Sequence, residues 1–350
     1  MPYPEPEAPS IAPHTASLTS YTTTSTSELP SRIKDAHIVI TSTVKITASI
    51  LSPSCSPNLL AVAAMAAGTD HVDLAAAKER GIVVFNCPHA SSEVVANHAL
   101  GLYFASRRRT VIMNEEVRKV PSEWKAKGSL VRFMRDAVGP PLVVGQEVAG
   151  IVGYGAIGAS SFLSFNVHIY MLSGSMLMVG AGKRIANFAK ALGMRVIVSA
   201  RKGATTSTIT PHGDFPRLPF SEVLRQSTVL FVLCPKTPDT TDLISTPELQ
   251  TMNPNCVIVN IARGGIINES AIVSALRSGT VAGYATDVYD VEPAEGPSDS
   301  TLLDPENRDL NLTLTPHCAW FGERTGQNLT AMVKDNIEKF IQGQPQNVVT

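Results

Sequence analysis

Val148-Ala-Gly-Ile-Val-Gly-Tyr-Gly-Ala-Ile-Gly158 is the most informative segment of this sequence. A short apolar run leads into glycines spaced as Gly-x-Gly-x-x-Gly, a pattern typical of a strand that turns into a helix. The glycines permit a tight turn, close approach of the backbone to a pyrophosphate, and close packing of the helix on the strand. The pattern therefore predicts a dinucleotide site at a helix N-terminus, where free N–H groups favour phosphate. The residues predicted to form it are Gly153, Gly155, Ala156, Ile157 and Gly158.

Strand and helix patterns alternate on both sides of this stretch. Before it, strands are predicted at 36–43, 59–65 and 82–85, and after it a second series continues to His317. Short strands that alternate with helices indicate parallel sheets, so an α/β fold with two related lobes is expected. The long helix predicted before the glycine turn ends in Arg107-Arg108-Arg109, which we expect to be a solvated helix end.

Composition excludes several classes of function. The chain has 350 residues, 29 of them basic and 30 acidic, so its net charge of −1 attracts neither nucleic acid nor an anionic membrane. Five cysteines without C-x-x-C spacing predict reduced thiols in a cytoplasmic protein, with no metal site. The N-terminal residues 1–13 are proline-rich and show neither a signal-peptide nor a transit-peptide pattern, so a flexible tail is expected. The uncharged residues 148–182 are too rich in Gly and Ser to favour a membrane helix.

Three candidate catalytic residues lie just beyond predicted strands. Arg263, Glu292 and His317 each follow the carboxyl end of such a strand, where open α/β sheets collect their ligands. Arginine can hold a carboxylate with two hydrogen bonds and polarise a neighbouring carbonyl. Histidine can donate a proton near neutral pH, and a neighbouring carboxylate raises its pKa. With a nicotinamide as hydride donor, this set predicts the reduction of a 2-oxoacid.

The motifs together resemble the D-isomer-specific 2-hydroxyacid dehydrogenases, close to the glyoxylate/hydroxypyruvate reductase branch. Besides the glycine turn, they are Ala-Gly-Thr-Asp-His-Val-Asp at 67–73, Val-Ala-Asn-His-Ala-Leu at 95–100, Asn-Ile-Ala-Arg-Gly-Gly at 260–265, Gly-Tyr-Ala-Thr-Asp-Val at 283–288, Glu-Pro at 292–293 and Thr-Pro-His at 315–317. The resemblance implies two flavodoxin/Rossmann-like domains, with the active site between them. A substrate domain of residues 1–93 and 320–350 would contain an inserted cofactor domain of residues 94–319. It also implies a homodimer.

The resemblance assigns roles to individual residues. Arg263 would bind the substrate carboxylate and polarise the carbonyl, His317 would be the acid/base, and Glu292 would orient His317 and raise its pKa. Backbone N–H groups near Ala67 and Gly68 would also hold the carboxylate. Further cofactor contacts are expected from Ser199, Arg201, Lys202, Cys234, Pro235, Ala262 and Asp287, of which Asp287 would contact the nicotinamide amide and Cys234-Pro235 would lie near the adenosine.

Cofactor choice can be predicted from the residues after the second strand of the dinucleotide fold. NAD-dependent enzymes place an acidic residue there to bind the ribose 2′-OH. Here the residues are Ser199-Ala200-Arg201-Lys202, with two cations that could pair with a 2′-phosphate. NADP(H) is therefore predicted in preference to NAD(H).

The chain departs from the family pattern in three places. Asn97 stands where the family usually has Glu, a minor change. Residues 1–13 supply no apolar strand, although the family usually opens with one. The third departure is a segment of 24 residues, 159–182, between the glycine turn and the helix predicted from Lys183.

Spacing supports the interpretation of residues 159–182 as an insertion. Arg201 lies 43 residues after Gly158, and removing the segment reduces this to 19, close to the roughly 20 that the motif requires. We interpret the segment as a retained intron or splice variant that separates the turn from its helix. Two alternatives stay open. Met-Leu-Met-Val-Gly-Ala-Gly at 176–182 could act as a second strand and turn, and the chain could be a non-catalytic NAD(P)-binding regulator or an inactive variant.

Overall fold

The computed structural model describes residues 15–154, 180–204 and 215–350. Clustering of contacts divides the chain into two compact units, Met1–Ser91 with Phe321–Thr350, and Ser92–Trp320. The predicted domain boundaries differ from these by one or two residues. Predicted site residues Gly155, Ala156, Ile157 and Gly158, the tail at 1–13 and residues 159–179 of the predicted insertion lie outside the described ranges.

The first unit is built on a three-stranded parallel sheet in the order β1-β2-β3. Its central strand is buried along its whole length, as expected for a parallel strand covered on both faces. The C-terminal helix packs on this sheet through Leu329, Val333 and Ile337, whose spacing of four residues places them on one helical face. The elements are α1 (Leu29–Ile33), β1 (Ile38–Thr41), β2 (Ala61–Ala64), α2 (Leu74–Glu79), β3 (Val83–Phe85) and, from the end of the chain, α10 (Glu323–Ile341).

The second unit is built on a seven-stranded sheet in the order β10-β9-β8-β7-β4-β5-β6, in which every pair is parallel. Its helices are α3 (Ser92–Arg107), α4 (Thr110–Arg118), α5 (Glu123–Lys127), α6 (Ala181–Ala191), α7 (Phe220–Gln226), α8 (Thr246–Leu249) and α9 (Glu269–Arg277). Its strands are β4 (Val148–Val152), β5 (Arg195–Ser199), β6 (Arg217–Leu218), β7 (Val229–Val232), β8 (Val257–Asn260), β9 (Gly283–Thr286) and β10 (Leu312–Leu314).

The strand order of this sheet reverses between β4 and β7. From β4 the chain proceeds to β5 and β6 on one side, and then crosses back to β7, β8, β9 and β10 on the other. Such a reversal opens a crevice at the carboxyl ends of the two strands, the usual place for a ligand in an open parallel sheet. The Gly-Tyr pair at 153–154 follows β4, so the described part of the quoted stretch ends at this edge of the sheet.

Two expectations about helix ends are wrong. α6 begins at Ala181, so the end of the predicted insertion belongs to the helix that was expected to start at Lys183. Arg107 is not solvated: only 4% of its surface is exposed. Its guanidinium donates hydrogen bonds to the Glu147 carboxylate at 3.0 Å and to the Thr228 carbonyl at 2.7 Å. The arginine is buried because these partners neutralise and solvate its charge.

Among the described residues, none of the helices combines the length and the apolar character needed to cross a membrane.

Candidate active site

His317 lies three residues beyond the end of β10, in a backbone conformation that few residues other than glycine adopt. Its φ is 50°, in the left-handed region, which costs a non-glycine residue about 1–3 kcal/mol. Hydrogen bonds hold this conformation: the His317 N–H donates to the Asp287 carbonyl at 2.8 Å, and the Trp320 indole N–H donates to the His317 carbonyl at 2.9 Å. The imidazole is therefore presented from a rigid loop rather than from a regular element.

Asp287 anchors the loop that carries His317. Its carboxylate is almost fully buried and accepts hydrogen bonds from the Thr315 hydroxyl at 2.6 Å and from the backbone N–H groups of Cys318 at 3.0 Å and Ala319 at 2.8 Å. The donor atoms of His98, Asp287 and Cys318 lie within 4.8 Å of one another, a spacing that a metal ion could bridge. Because both Asp287 oxygens already accept hydrogen bonds from the loop, we assign this carboxylate a role in holding it.

Glu292 pairs directly with His317. Its Oε2 meets the imidazole Nδ1 in a short hydrogen bond, and its Oε1 accepts a hydrogen bond from the Tyr289 backbone N–H at 2.8 Å. The Tyr289 hydroxyl in turn donates to the Thr315 carbonyl at 3.0 Å. The carboxylate and the imidazole are thus oriented by one set of loop contacts, which leaves the Nε2 atom of His317 for other chemistry.

Arg263 follows β8 on a turn shaped by Asn260. The Asn260 side chain accepts a hydrogen bond from the Ala262 N–H at 3.1 Å and donates one to the Arg263 carbonyl at 3.1 Å. At Gly264, an added Cβ would lie 1.7 Å from the Tyr289 carbonyl oxygen, so only glycine permits this turn to meet the loop of Glu292. The predicted cofactor residue Ala262 is buried, and its carbonyl accepts a hydrogen bond from the Arg263 guanidinium at 2.8 Å.

Electrostatics favour a charged imidazole. The hydrogen bond to Glu292 is the largest influence on His317 and raises its pKa above the usual value, against burial and the Arg263 charge, which lower it. For Glu292, burial alone would raise the pKa, but the hydrogen bonds from His317 and the Tyr289 N–H, together with Arg263, outweigh burial and lower it. The pair therefore favours imidazolium beside carboxylate, with a guanidinium close enough to influence both. Such an arrangement can donate a proton to an anionic substrate's carbonyl oxygen.

The predicted cofactor residues are distributed along the carboxyl ends of the central strands. Gly153 follows β4 with a φ of 100°, and an added Cβ would lie 2.4 Å from the backbone nitrogen of Cys234, the second residue after β7. Cys234 and Gly153 therefore meet at the point where the strand order reverses, and Pro235 follows Cys234 directly. Ser199 ends β5, and its buried hydroxyl donates to the Ala200 carbonyl at 2.7 Å.

The two predicted phosphate cations, Arg201 and Lys202, differ in their surroundings. Arg201 is exposed. Lys202 forms an ion pair with Glu248 at 2.9 Å, so a carboxylate that the local sequence does not reveal stands beside it. Lys202 is therefore partly neutralised, and Arg201 is the better placed of the two to meet an anionic group.

Ala67 and Gly68 belong to the first unit, beyond the end of β2. The Asn86 side-chain amide donates to the Ala67 carbonyl at 2.6 Å, and the Cys87 N–H donates to the Ala66 carbonyl at 2.9 Å. These contacts hold the backbone of the predicted carboxylate-binding turn; its substrate role stays a prediction.

Sequence reasoning missed the residues that support the site. Asn260, Tyr289 and Thr315 hold Arg263, Glu292 and His317 in place, yet none of them was predicted to have a role. Asn260 and Thr315 lie inside the quoted motifs, close to Arg263 and His317 in the sequence. This proximity is the signal that could have predicted their supporting role. Tyr289 lies just after one of these motifs, and its sequence neighbourhood does not reveal the hydrogen bond to the loop of His317.

Comparisons with known proteins extend over most of the chain. The sequence model of the "D-isomer specific 2-hydroxyacid dehydrogenase, NAD binding domain" matches residues 174–319. Glycerate dehydrogenase of Methylorubrum extorquens is 33% identical over 323 residues, covering 92% of this chain and 88% of that protein. Glyoxylate reductase of Aeropyrum pernix is 30% identical over 327 residues, covering 92% and 85%. The crystal structure of the TT0316 protein from Thermus thermophilus has a TM-score of 0.69 and 27% identity, covering 93% and 89%.

Proposed function

The chain belongs to the D-isomer-specific 2-hydroxyacid dehydrogenase family, and on that premise we propose that it reduces a small 2-oxoacid of the glyoxylate or hydroxypyruvate type with NADP(H). Membership makes it an oxidoreductase that transfers a hydride between a nicotinamide cofactor and a 2-hydroxyacid or 2-oxoacid. The observation that carries the proposed chemistry is the pairing of His317 with Glu292 beside the Arg263 turn. The names of the relatives support the substrate class.

The described residues fit a dinucleotide. Gly153 leaves no room for a Cβ beside the Cys234 backbone, so the chain turns tightly at the carboxyl end of β4 beside β7, where an open parallel sheet binds its ligand. Helix α6 begins close by, and its N-terminal N–H groups suit a phosphate. When bound, the nicotinamide supplies the hydride. We expect Cys234, Pro235 and Ala262 to border the cofactor.

The protein's own residues would handle the substrate carboxylate and the proton. Arg263 would bind the carboxylate through two parallel hydrogen bonds and polarise the adjacent carbonyl. Backbone N–H groups of Ala67 and Gly68 would hold the same carboxylate. As the carbonyl carbon receives the hydride, the Nε2 atom of His317 would donate its proton to the carbonyl oxygen, which gives the hydroxyl group of the product. Glu292 holds Nδ1, so it orients the imidazole and stabilises the charged form before transfer.

The proposed preference for NADP(H) depends mainly on Arg201. Its exposed guanidinium follows β5, where a 2′-phosphate would be read, and Lys202 contributes less because Glu248 pairs with it. The nicotinamide amide is proposed to contact Asp287, although this carboxylate also anchors the His317 loop. Titration of the protein with NADPH and with NADH, followed by nucleotide fluorescence, tests the preference. Tighter binding of NADH would contradict it.

Two observations support the proposal of a cytoplasmic homodimer: the unpaired cysteines bear on the compartment, and the exposed apolar side chains bear on the dimer. All five cysteines are unpaired, as expected in a reducing compartment. Apolar side chains are exposed around α4 and α5, with 96% of Val120, 55% of Trp124 and 64% of Val131 accessible, and a partner subunit could cover them. Light scattering during gel filtration tests the dimer, and a monomeric mass at micromolar concentration would contradict it.

The decisive assay is NADPH oxidation with glyoxylate and with hydroxypyruvate. It should be run on the full chain, on a chain lacking residues 159–182, and on the His317→Ala variant of each. We expect turnover that requires His317. Absence of turnover in both lengths, with nucleotide binding retained, would favour a non-catalytic NAD(P)-binding regulator. Sequencing of mature transcripts tests the retained-intron hypothesis, which fails if every transcript keeps these codons and the protein is active.

A further inference from the structure

Two glycines fix the crossing of strand β4 and helix α6. Gly153 has a φ of 100° and leaves no room for a Cβ beside the backbone of Cys234. Gly182, the second residue of α6, packs against the backbone of Gly153. A Cβ on Gly182 would lie 2.7 Å from the Gly153 carbonyl oxygen and 3.4 Å from the Tyr154 Cα. Because both neighbours are backbone atoms at a strand end, they cannot move aside as a flexible side chain could.

The remaining residues of α6 show that this helix packs firmly on the sheet. Ile185, Ala186 and Ala189 are fully buried and share a core cluster with Ala149 and Ile151 of β4. Their spacing places them on one face of the helix, directed at the sheet. The helix is therefore held against β4 by its own apolar face, and the glycine contact sets how closely its N-terminus approaches the end of the strand.

We propose that Gly182, rather than Gly158, is the glycine that seats the nucleotide-binding helix on β4 in this chain. The crossing then combines Gly153 of the first motif with Gly182 of the second, Gly-Ala-Gly at 180–182. This rests on the proposed binding of a nicotinamide nucleotide. The assignment replaces the interpretation of a turn separated from its helix, and also the alternative in which a second strand displaces β4 from the sheet.

The assignment also changes the register of the insertion. Removal of 159–182 or of 158–181 yields the same shortened sequence, because Lys183 follows a glycine in both cases. The structure selects the second register, since Gly182 already occupies the helix-packing position. The full chain therefore keeps a helix N-terminus at the carboxyl end of β4, and we infer that it binds the nucleotide without removal of the segment.

The test compares glycine variants in the full chain by NADPH titration and circular dichroism. Gly182→Ala should weaken NADPH binding about tenfold or more, and Gly182→Val further, because overpacking at a rigid contact displaces the helix end. Gly158→Ala should change the dissociation constant by less than about threefold. Gly101→Ala is the matched control, since Gly101 lies within helix α3 with no atom within 4 Å of an added Cβ.

Kinetics separate positioning from a loss of folded protein. If Gly182 positions the nucleotide, Gly182→Ala raises the KM for NADPH and leaves kcat at saturating NADPH within about threefold. Partial misfolding would instead lower kcat in proportion and leave KM unchanged. Stronger loss of affinity in Gly158→Ala than in Gly182→Ala would overturn the assignment.

The outcomes distinguish this inference from the proposed function. If the shortened chain binds NADPH and the full chain does not, the Gly182 assignment is wrong while the proposed function stands. If the full chain binds NADPH with the predicted glycine dependence but neither length reduces glyoxylate or hydroxypyruvate, the proposed reaction is wrong while the assignment stands.

Discussion

Replacement of Glu292 by glutamine removes the charge that holds the His317 imidazole in its protonated form. The hydrogen bond from this carboxylate is the largest influence that raises the His317 pKa. In Glu292→Gln a neutral amide takes its place while burial and the Arg263 charge remain, so the pKa of His317 falls. Because reduction needs imidazolium, the activity of the variant should be lost at lower pH than that of the original enzyme.

The size of the effect depends on pH. At a pH below the pKa of His317 in both proteins, the imidazole is protonated in both, and the protonation part of the defect is absent. At a pH above both pKa values, each unit by which the substitution lowers the pKa reduces the protonated fraction about tenfold. Any loss of imidazole orientation adds a factor that does not change with pH. The ratio of original to variant activity should thus fall as the medium is acidified, by about tenfold for each unit by which the pKa is lowered, until only the orientation factor remains.

The assay is the pH profile of kcat/KM for glyoxylate with saturating NADPH. Glu295→Gln is the matched control, because Glu295 is an exposed glutamate on the same segment, and its profile should overlay the original. A Glu292→Gln profile that is lowered equally at every pH would refute the electrostatic reasoning and leave Glu292 with an orienting role alone. An unchanged profile would refute any role for the pair.

Three further predictions concern substrate, cofactor and stability. Arg263→Lys should lower kcat/KM for glyoxylate about 100-fold, because a point charge cannot replace two parallel donors, while the NADPH dissociation constant stays unchanged in a fluorescence titration. Arg201→Ala should weaken NADPH binding about tenfold and NADH binding little, and equal losses for both nucleotides would contradict a phosphate contact. Glu147→Gln should destabilise the protein by about 3 kcal/mol in urea unfolding, because it leaves the buried Arg107 charge without its partner; Glu115→Gln on the surface should change stability by less than about 0.5 kcal/mol.

Local pattern was sufficient for the strands and for the positions of the candidate catalytic residues. The apolar run before Gly153 forms β4 as predicted, and Arg263, Glu292 and His317 each follow a strand in the second unit. This succeeds because burial imposes its pattern on consecutive residues, and because parallel strands deliver the residues that follow them to one edge of the sheet.

Pairing between distant segments was beyond the reach of local pattern. The local pattern predicts that Arg107 is a solvated helix end, yet this arginine is buried against Glu147, which lies 40 residues further along the chain. The local pattern predicts an available phosphate cation at Lys202, yet Glu248 pairs with it and partly neutralises its charge. In each case a carboxylate that is distant in the sequence compensates the positive charge, and the fold of the backbone brings this carboxylate close to the cation.

The glycine turn shows the same difference between what local sequence predicts and what packing between distant segments determines. Local sequence predicts a strand, a glycine-rich turn and an amphipathic helix, because each depends on neighbours within a few residues. The sequence does not determine which glycine contacts the strand, because the shortened sequence is the same whether Gly158 or Gly182 is kept before Lys183. The packed structure assigns the contact to Gly182, because the approach of a helix to backbone depends on the space at Gly153, and that space is set by the packing of the whole sheet.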